Sequence, residues 1–249
     1  MFAGIATPEQ AEIMVNKHLR NPDEFWGTYV FPSIARNDRS FDDQFYWRGN
    51  IWGATNYLVY LGLNRYHFDQ VAFDVAQKSY NLFMGDWNQN QNYDEQYSAS
   101  GGGGGGETHY MWSGLLLLMP LEQYMDADYW GGLRFGALGP ASTGTLHNVT
   151  WEGHRYDISI GPNLTSFSRD GKPRFQADSG IVVRDYSVAG SSLSFKVHAS
   201  KAVNISIQEF DSGTFSLSID RHESAHDSVQ EGKLNLTVPV GEHEVDLRK

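Results

Sequence analysis

"WGGLRFGALG", residues 130–139, is the stretch at which the chain changes its period. Before it, apolar residues recur at helical spacing. After it they alternate in short runs: "TLHNVTWEG", "RYDISIG", "GIVVRDYSV", "SLSFKVHAS", "NISIQEF", "TFSLSID", "KLNLTVPV" and "HEVDLRK". Gly, Asn, Asp or Ser separates these runs, which predicts an antiparallel sandwich or similar all-β module. The fold class expected is therefore α+β in two parts, a helical part over residues 1–135 and an antiparallel β module over 136–249. The boundary is expected near residues 128–143.

Upstream, "ATPEQAEIMVNKHL" opens with Thr7 as N-cap, Pro8 at the first helical position and Gln10 completing a capping box. Asn21-Pro22 marks its stop. A long loop rich in Pro, Asp and aromatic residues follows. A second helix is expected over about Ile51–Leu63, with Ala54, Leu58 and Leu61 on an apolar face and Trp52, Asn56 and Tyr60 on another. The third is expected from His67 to about Met84. The fourth, from about Thr108, contains "GLLLLMPL" and should be buried on most sides.

Composition narrows the function classes. The 249 residues are 40% hydrophobic and 20% charged, enough apolar material for a sizeable core. A formal net charge of −11 with no basic stripe argues against nucleic acid as a partner. No run approaches the roughly 20 apolar residues of a membrane-spanning helix, and no signal peptide is visible at Met1. With no cysteine, disulfides and thiolate chemistry are excluded. Four N-x-S/T sequons, at Asn148, Asn163, Asn204 and Asn235, allow a secreted or lumenal protein; such triplets are also ordinary in polar strands and turns.

Three motifs bear on chemistry. The first is the run of six glycines at 101–106, bracketed by Glu95 and Glu107 and followed by His109, Tyr110 and Trp112. It lacks the Gly-Lys-Ser/Thr of a phosphate loop. A flexible loop between helices is one reading; a loop whose bare backbone approaches a ligand is the other. The second is the pair of acids, Glu95 and Glu107. Glycoside hydrolysis uses two carboxyl groups, although a loop acid is normally just a solvated charge. The third is "HESAH", residues 222–226, which matches H-E-x-x-H literally. Zinc hydrolases need that motif on a helix. Here it lies between strand-like runs and reads as a polar loop, so no metal site is expected.

"YWRGNIWGATNYLVYLGL", residues 46–63, resembles the Y-W-R-G-x-I-W…N-Y segment of glycoside hydrolase family 63 and its mannosylglycerate hydrolase-like relatives. "FAGIATPEQAEIMVNKHL" and "EFWGTYVFPSIARND" are similar to segments upstream of it in that group. "DEQYSASGGGGGGETHYMWSGLLLL" resembles the family stretch E-N-Y-x…G…W-x-x-L and the glycine-rich segment of trehalases, which share the clan. "WGGLRFG" is a further match. The resemblance covers about residues 2–137. It implies an (α/α)6 toroid, of which about four or five helices are present, and an inverting mechanism on an α-glycosidic bond without metal or organic cofactor.

The resemblance places the general base on Glu95. It places sugar-binding positions on Trp47, Arg48, Trp52, Asn56, Glu107 and Trp112; core packing is the alternative for the tryptophans and surface solvation for Arg48. Gln96 and Ser98 depart from the family pattern, which has Asn or Lys and Asp or Asn there. The family's general acid, an Asp on an earlier barrel segment, has no counterpart in these residues. Met1 accordingly reads as internal, and the chain as the C-terminal part of a barrel whose partner is the missing N-terminal part. The implied substrate is an oligosaccharide or small glycoside. The alternative reading is a non-catalytic carbohydrate-binding protein that binds through its β half.

Overall fold

A computed structural model describes residues 1–43, 45–128, 132–139, 143–211, 213–229 and 232–249. The chain divides into two compact units, Met1–Leu121 and Glu122–Lys249.

The first unit is helical with one hairpin. Helix α1 (Pro8–Glu12) continues as π-helical turns over Ile13–Leu19. Its start is the expected capping box: Thr7 Oγ1 accepts from the Gln10 N–H, and the Gln10 side chain accepts from the Thr7 N–H. Helix α2 (Gly53–Arg65) has Trp52 as its N-cap. The expected apolar face of Ala54, Leu58 and Leu61 is not the buried one; Leu58 is 44% exposed. The core instead takes Trp52, Asn56, Tyr60 and Leu63, a ridge at i, i+4, i+8 and i+11 that carries more aromatic area. Helix α3 (Asp69–Asn90) runs beyond the expected Met84 and ends on Gln91 in the left-handed region. Its Val71, Ala72, Val75, Ala76, Leu82 and Phe83 are buried. Helix α4 (Gly114–Tyr124) begins later than expected, after a 3-10 turn at Met111–Ser113. It buries Leu116, Met119 and Gln123, and of its residues only Gly114 and Leu121 are exposed.

The glycine run is not simply a loop. Strands β1 (Asp94–Tyr97) and β2 (Gly104–Thr108) form an antiparallel hairpin in which three of the six glycines are strand residues. Glycine carries no side-chain period, so alternation could not reveal this strand.

The second unit is two large antiparallel sheets. One has seven strands, in spatial order β13 (His222–Val229), β12 (Gly213–Ile219), β15 (Gly241–Arg248), β10 (Ser192–Ala199), β9 (Ile181–Ala189), β4 (Gly132–Phe135) and β3 (Met125–Asp128). The other has six: β14 (Leu234–Val238), β11 (Val203–Ile207), β8 (Lys172–Asp178), β7 (Leu164–Arg169), β6 (His154–Ile160) and β5 (Gly144–Trp151). Their inner faces meet in an aromatic core. Phe135 and Tyr186 of one sheet pack on Phe167 and Phe175 of the other, with ring centroids 5.0–6.0 Å apart.

Three expectations shift here. The division falls ahead of residues 128–143, because β3 and β4, expected in the helical part, pair into the seven-stranded sheet. Strands β7 and β8 join the alternating runs, turning at Asp170-Gly171. "HESAH" lies on strand β13, not in a loop. At about 3.3 Å rise per residue, its first and last Cα atoms stand roughly 13 Å apart, too far to share a zinc held at ~2.0–2.1 Å from each ring. The side chains of residues 223–230, His226 among them, lie outside the described residues. Among the described residues no helix is long and apolar enough to cross a membrane.

Candidate functional site

The site is built where the Tyr46–Ile51 segment meets the hairpin. Ile51 exchanges backbone hydrogen bonds with Tyr97 at 2.7 and 3.1 Å, which fastens the segment to β1. This fixes Tyr46 beside Glu95. The Tyr46 hydroxyl donates to Glu95 Oε1 at 3.1 Å, and the Glu107 backbone N–H donates to Glu95 Oε2 at 3.3 Å. Glu95 is 8% exposed, so its carboxylate is held from both sides at a nearly buried position. Each oxygen keeps a further lone pair for a water or a substrate hydroxyl. Desolvation, then the hydrogen bond to Glu95, raises the Tyr46 phenol above its ordinary pKa.

Glycine is required for this geometry at two places. Gly106 has φ +81° and a Cβ there would lie 2.4 Å from Glu95 Oε2, so any side chain would displace the carboxylate. At Gly53 a Cβ would lie 2.2 Å from the Trp112 carbonyl oxygen, so α2 can start there only without one. The loop between β1 and β2 is held by Asp43: its carboxylate accepts from Ser98 Oγ at 2.7 Å and from the backbone N–H groups of Ala99 and Ser100. Ser98, a departure from the family pattern, thus has a partner of its own. So does Gln96, whose Oε1 accepts from Asn50 Nδ2 at 2.8 Å.

An aromatic wall flanks the carboxylate. Trp52 is wholly buried, and Trp47 stacks on it at 3.7 Å with an interplanar angle of 6°. Trp47 is 43% exposed and Trp112 42%. Trp112 meets Trp52 edge-on at 6.3 Å, and Tyr46 does so at 4.8 Å. A half-exposed ring backed by a buried one offers a rigid apolar surface, suited to the C–H face of a sugar ring.

The structure therefore groups Glu95, Trp47, Trp52 and Trp112, with Glu107 touching Glu95 through its backbone while its side chain is exposed. Arg48 is exposed, with its guanidinium 4.0 Å from the centre of the Phe45 ring. Asn56 is not presented to solvent. It is 1% exposed; its Oδ1 accepts from the Phe31 N–H at 2.8 Å and its Nδ2 donates to the Phe31 and Trp52 carbonyls at 3.0 Å. Sequence reasoning did not single out Tyr46, Asp43 or Gly106. Tyr46 adjoins Trp47 in the quoted motif, so a signal was there; Asp43 carried none beyond an acidic loop.

Residues 1–113 match the family model described as mannosylglycerate hydrolase MGH1-like glycoside hydrolase domain. The chain is 35% identical over 82 residues to mannosylglycerate hydrolase MGH1 of Selaginella moellendorffii, covering 33% of this chain and 16% of that protein. It is 38% identical over 64 residues to mannosyl-oligosaccharide glucosidase of Saccharomyces cerevisiae, covering 25% of this chain and 8% of that one. Among solved structures, a GH63 mannosylglycerate hydrolase from Thermus thermophilus aligns with a TM-score of 0.41 at 25% identity, over 48% of this chain and 27% of that one. The chain thus spans less than a fifth of the length of either curated relative. Its first 113 residues resemble glycoside hydrolase family 63 enzymes of the mannosylglycerate hydrolase kind.

Proposed function

We propose that residues 1–113 form the base-bearing part of an inverting glycosidase site, in an (α/α)6 barrel that acts on an α-glycosidic bond. The observation that carries this reading is the Glu95 carboxylate, nearly buried, gripped by Tyr46 and the Glu107 N–H, beside half-exposed tryptophans. An inverting hydrolase needs one carboxylate to take a proton from water and a second carboxyl to protonate the leaving oxygen, roughly 6.5–9.5 Å away. Glu95 fills the first role. The acid comes from a barrel segment outside these residues, and the rest of the toroid with it.

In this mechanism Trp47 and Trp112 stack against the sugar, and Trp52 backs Trp47. Tyr46 and the Glu107 N–H fix the carboxylate so that a free lone pair faces the water. Asn56 supports the site without touching sugar. The relatives named above are hydrolases, which weighs against a purely binding protein; the substrate is an oligosaccharide or a small glycoside.

The test is Glu95→Gln in a protein that carries these residues together with the rest of the barrel. Turnover should fall by at least ~10²–10⁴-fold, the usual share of general acid–base help, with an unchanged thermal midpoint. Turnover close to wild type would remove Glu95 from the role.

A further inference from the structure

Polar residues on the outer face of the six-stranded sheet are what any sandwich shows. Two features of this face go beyond that. It is concave: strands β7, β8, β11 and β14 line a groove of about 520 Å³, a size typical of small-ligand sites. The groove's own lining is also almost uncharged. Cross-strand pairing sets Gln176, Ser206 and Asn235 in one row. Asp178, Asn204 and Thr237 form a second, with Leu164 opposite Asp178. Asp178 is the single ionised group in the groove lining.

The second row is fixed from within. Asn204 donates to Asp178 Oδ2 through its backbone N–H at 2.9 Å and its Nδ2 at 3.0 Å, and Thr237 Oγ1 donates to Asn204 Oδ1 at 3.0 Å. The first row is not: the side chains of Gln176, Ser206 and Asn235 have no hydrogen-bond partner among the described residues. Each of these three side chains both donates and accepts. So does every sugar hydroxyl. An anion would be repelled by Asp178, and a cation would find one carboxylate only. Leu164, 40% exposed at the groove's side, adds an apolar patch for C–H groups.

We propose that this groove is a glycan-binding surface for an uncharged, hydroxyl-bearing chain, separate from the Glu95 site and independent of the reading of that site. Gln176, Ser206 and Asn235 supply the hydrogen bonds, on a floor held rigid by the Asp178–Asn204–Thr237 relay.

The experiment titrates the full 249-residue chain, ¹⁵N-labelled and made in bacteria so that Asn204 and Asn235 carry no sugar, with a neutral oligomannose glycan. Saturable shifts are expected at the amides of Gln176, Ser206 and Asn235. Gln176→Ala and Asn235→Ala, both exposed positions, should each weaken association roughly fivefold or more, the loss of one or two hydrogen bonds. Absence of shifts in the groove, or equal affinity in both variants, overturns the proposal. Shifts confined to the indoles of Trp47, Trp52 and Trp112 also overturn it, while leaving the helical reading intact.

Discussion

Asn56 falls on a sugar-site position by family resemblance and has the environment of a structural residue. Its place with Trp52 and Tyr60 on one face of α2 was legible from the i, i+4, i+8 pattern. That the face turns inward was not, because the pattern does not say which of two stripes packs. Removing its side chain leaves the Phe31 N–H and C=O buried without their partners. Asn56→Ala should therefore cost about 2–4 kcal/mol, read as a lower urea midpoint at unchanged slope. An unchanged midpoint would return Asn56 to the list of exposed sugar ligands. Glu95 is the opposite case. Its residue type and the flanking motif were visible in sequence, but its grip depends on Tyr46 and on the backbone of Glu107. No side-chain pattern encodes a backbone donor.

At the scale of elements, alternation made the sandwich readable and glycine made the hairpin unreadable. The β module also repeats one device three times. An aspartate accepts from a histidine Nδ1 and from the backbone N–H of the next residue: Asp157 with His147 and Asn148, Asp170 with His154 and Arg155, Asp220 with His243 and Glu244. For Asp157 and Asp170 the backbone N–H is the main cause of a lowered pKa; for Asp220 the His243 hydrogen bond leads. A lowered carboxylate pKa contributes stability that is present above the unfolded-state value and is lost as pH falls through the folded-state value. The variant Asp157→Asn/Asp170→Asn/Asp220→Asn should thus melt below wild type at neutral pH, and the gap should close on acidification below the ordinary aspartate range. Melting curves against pH check this; a gap independent of pH would contradict it. The clamps join residues far apart in sequence, so only the folded pairing could reveal them.

At the scale of the molecule, the two units draw their cores from their own residues. The sandwich core of Phe135, Phe167, Phe175, Tyr186 and Phe195 lies wholly within Glu122–Lys249. Residues 122–249 made alone should unfold in one cooperative transition, and Phe175→Ala should lower that stability by about 3–5 kcal/mol. A broad, non-cooperative melt would show that the unit depends on the helical part.

The central proposal is that Glu95 acts by taking a proton from water. A small anion that needs no deprotonation can replace that water. The direct measurement is therefore Glu95→Ala in a protein carrying the rest of the barrel, assayed with and without azide. The account predicts that azide restores turnover and gives a glycosyl azide of inverted configuration. Turnover near wild type without azide, or a product of retained configuration, would contradict it.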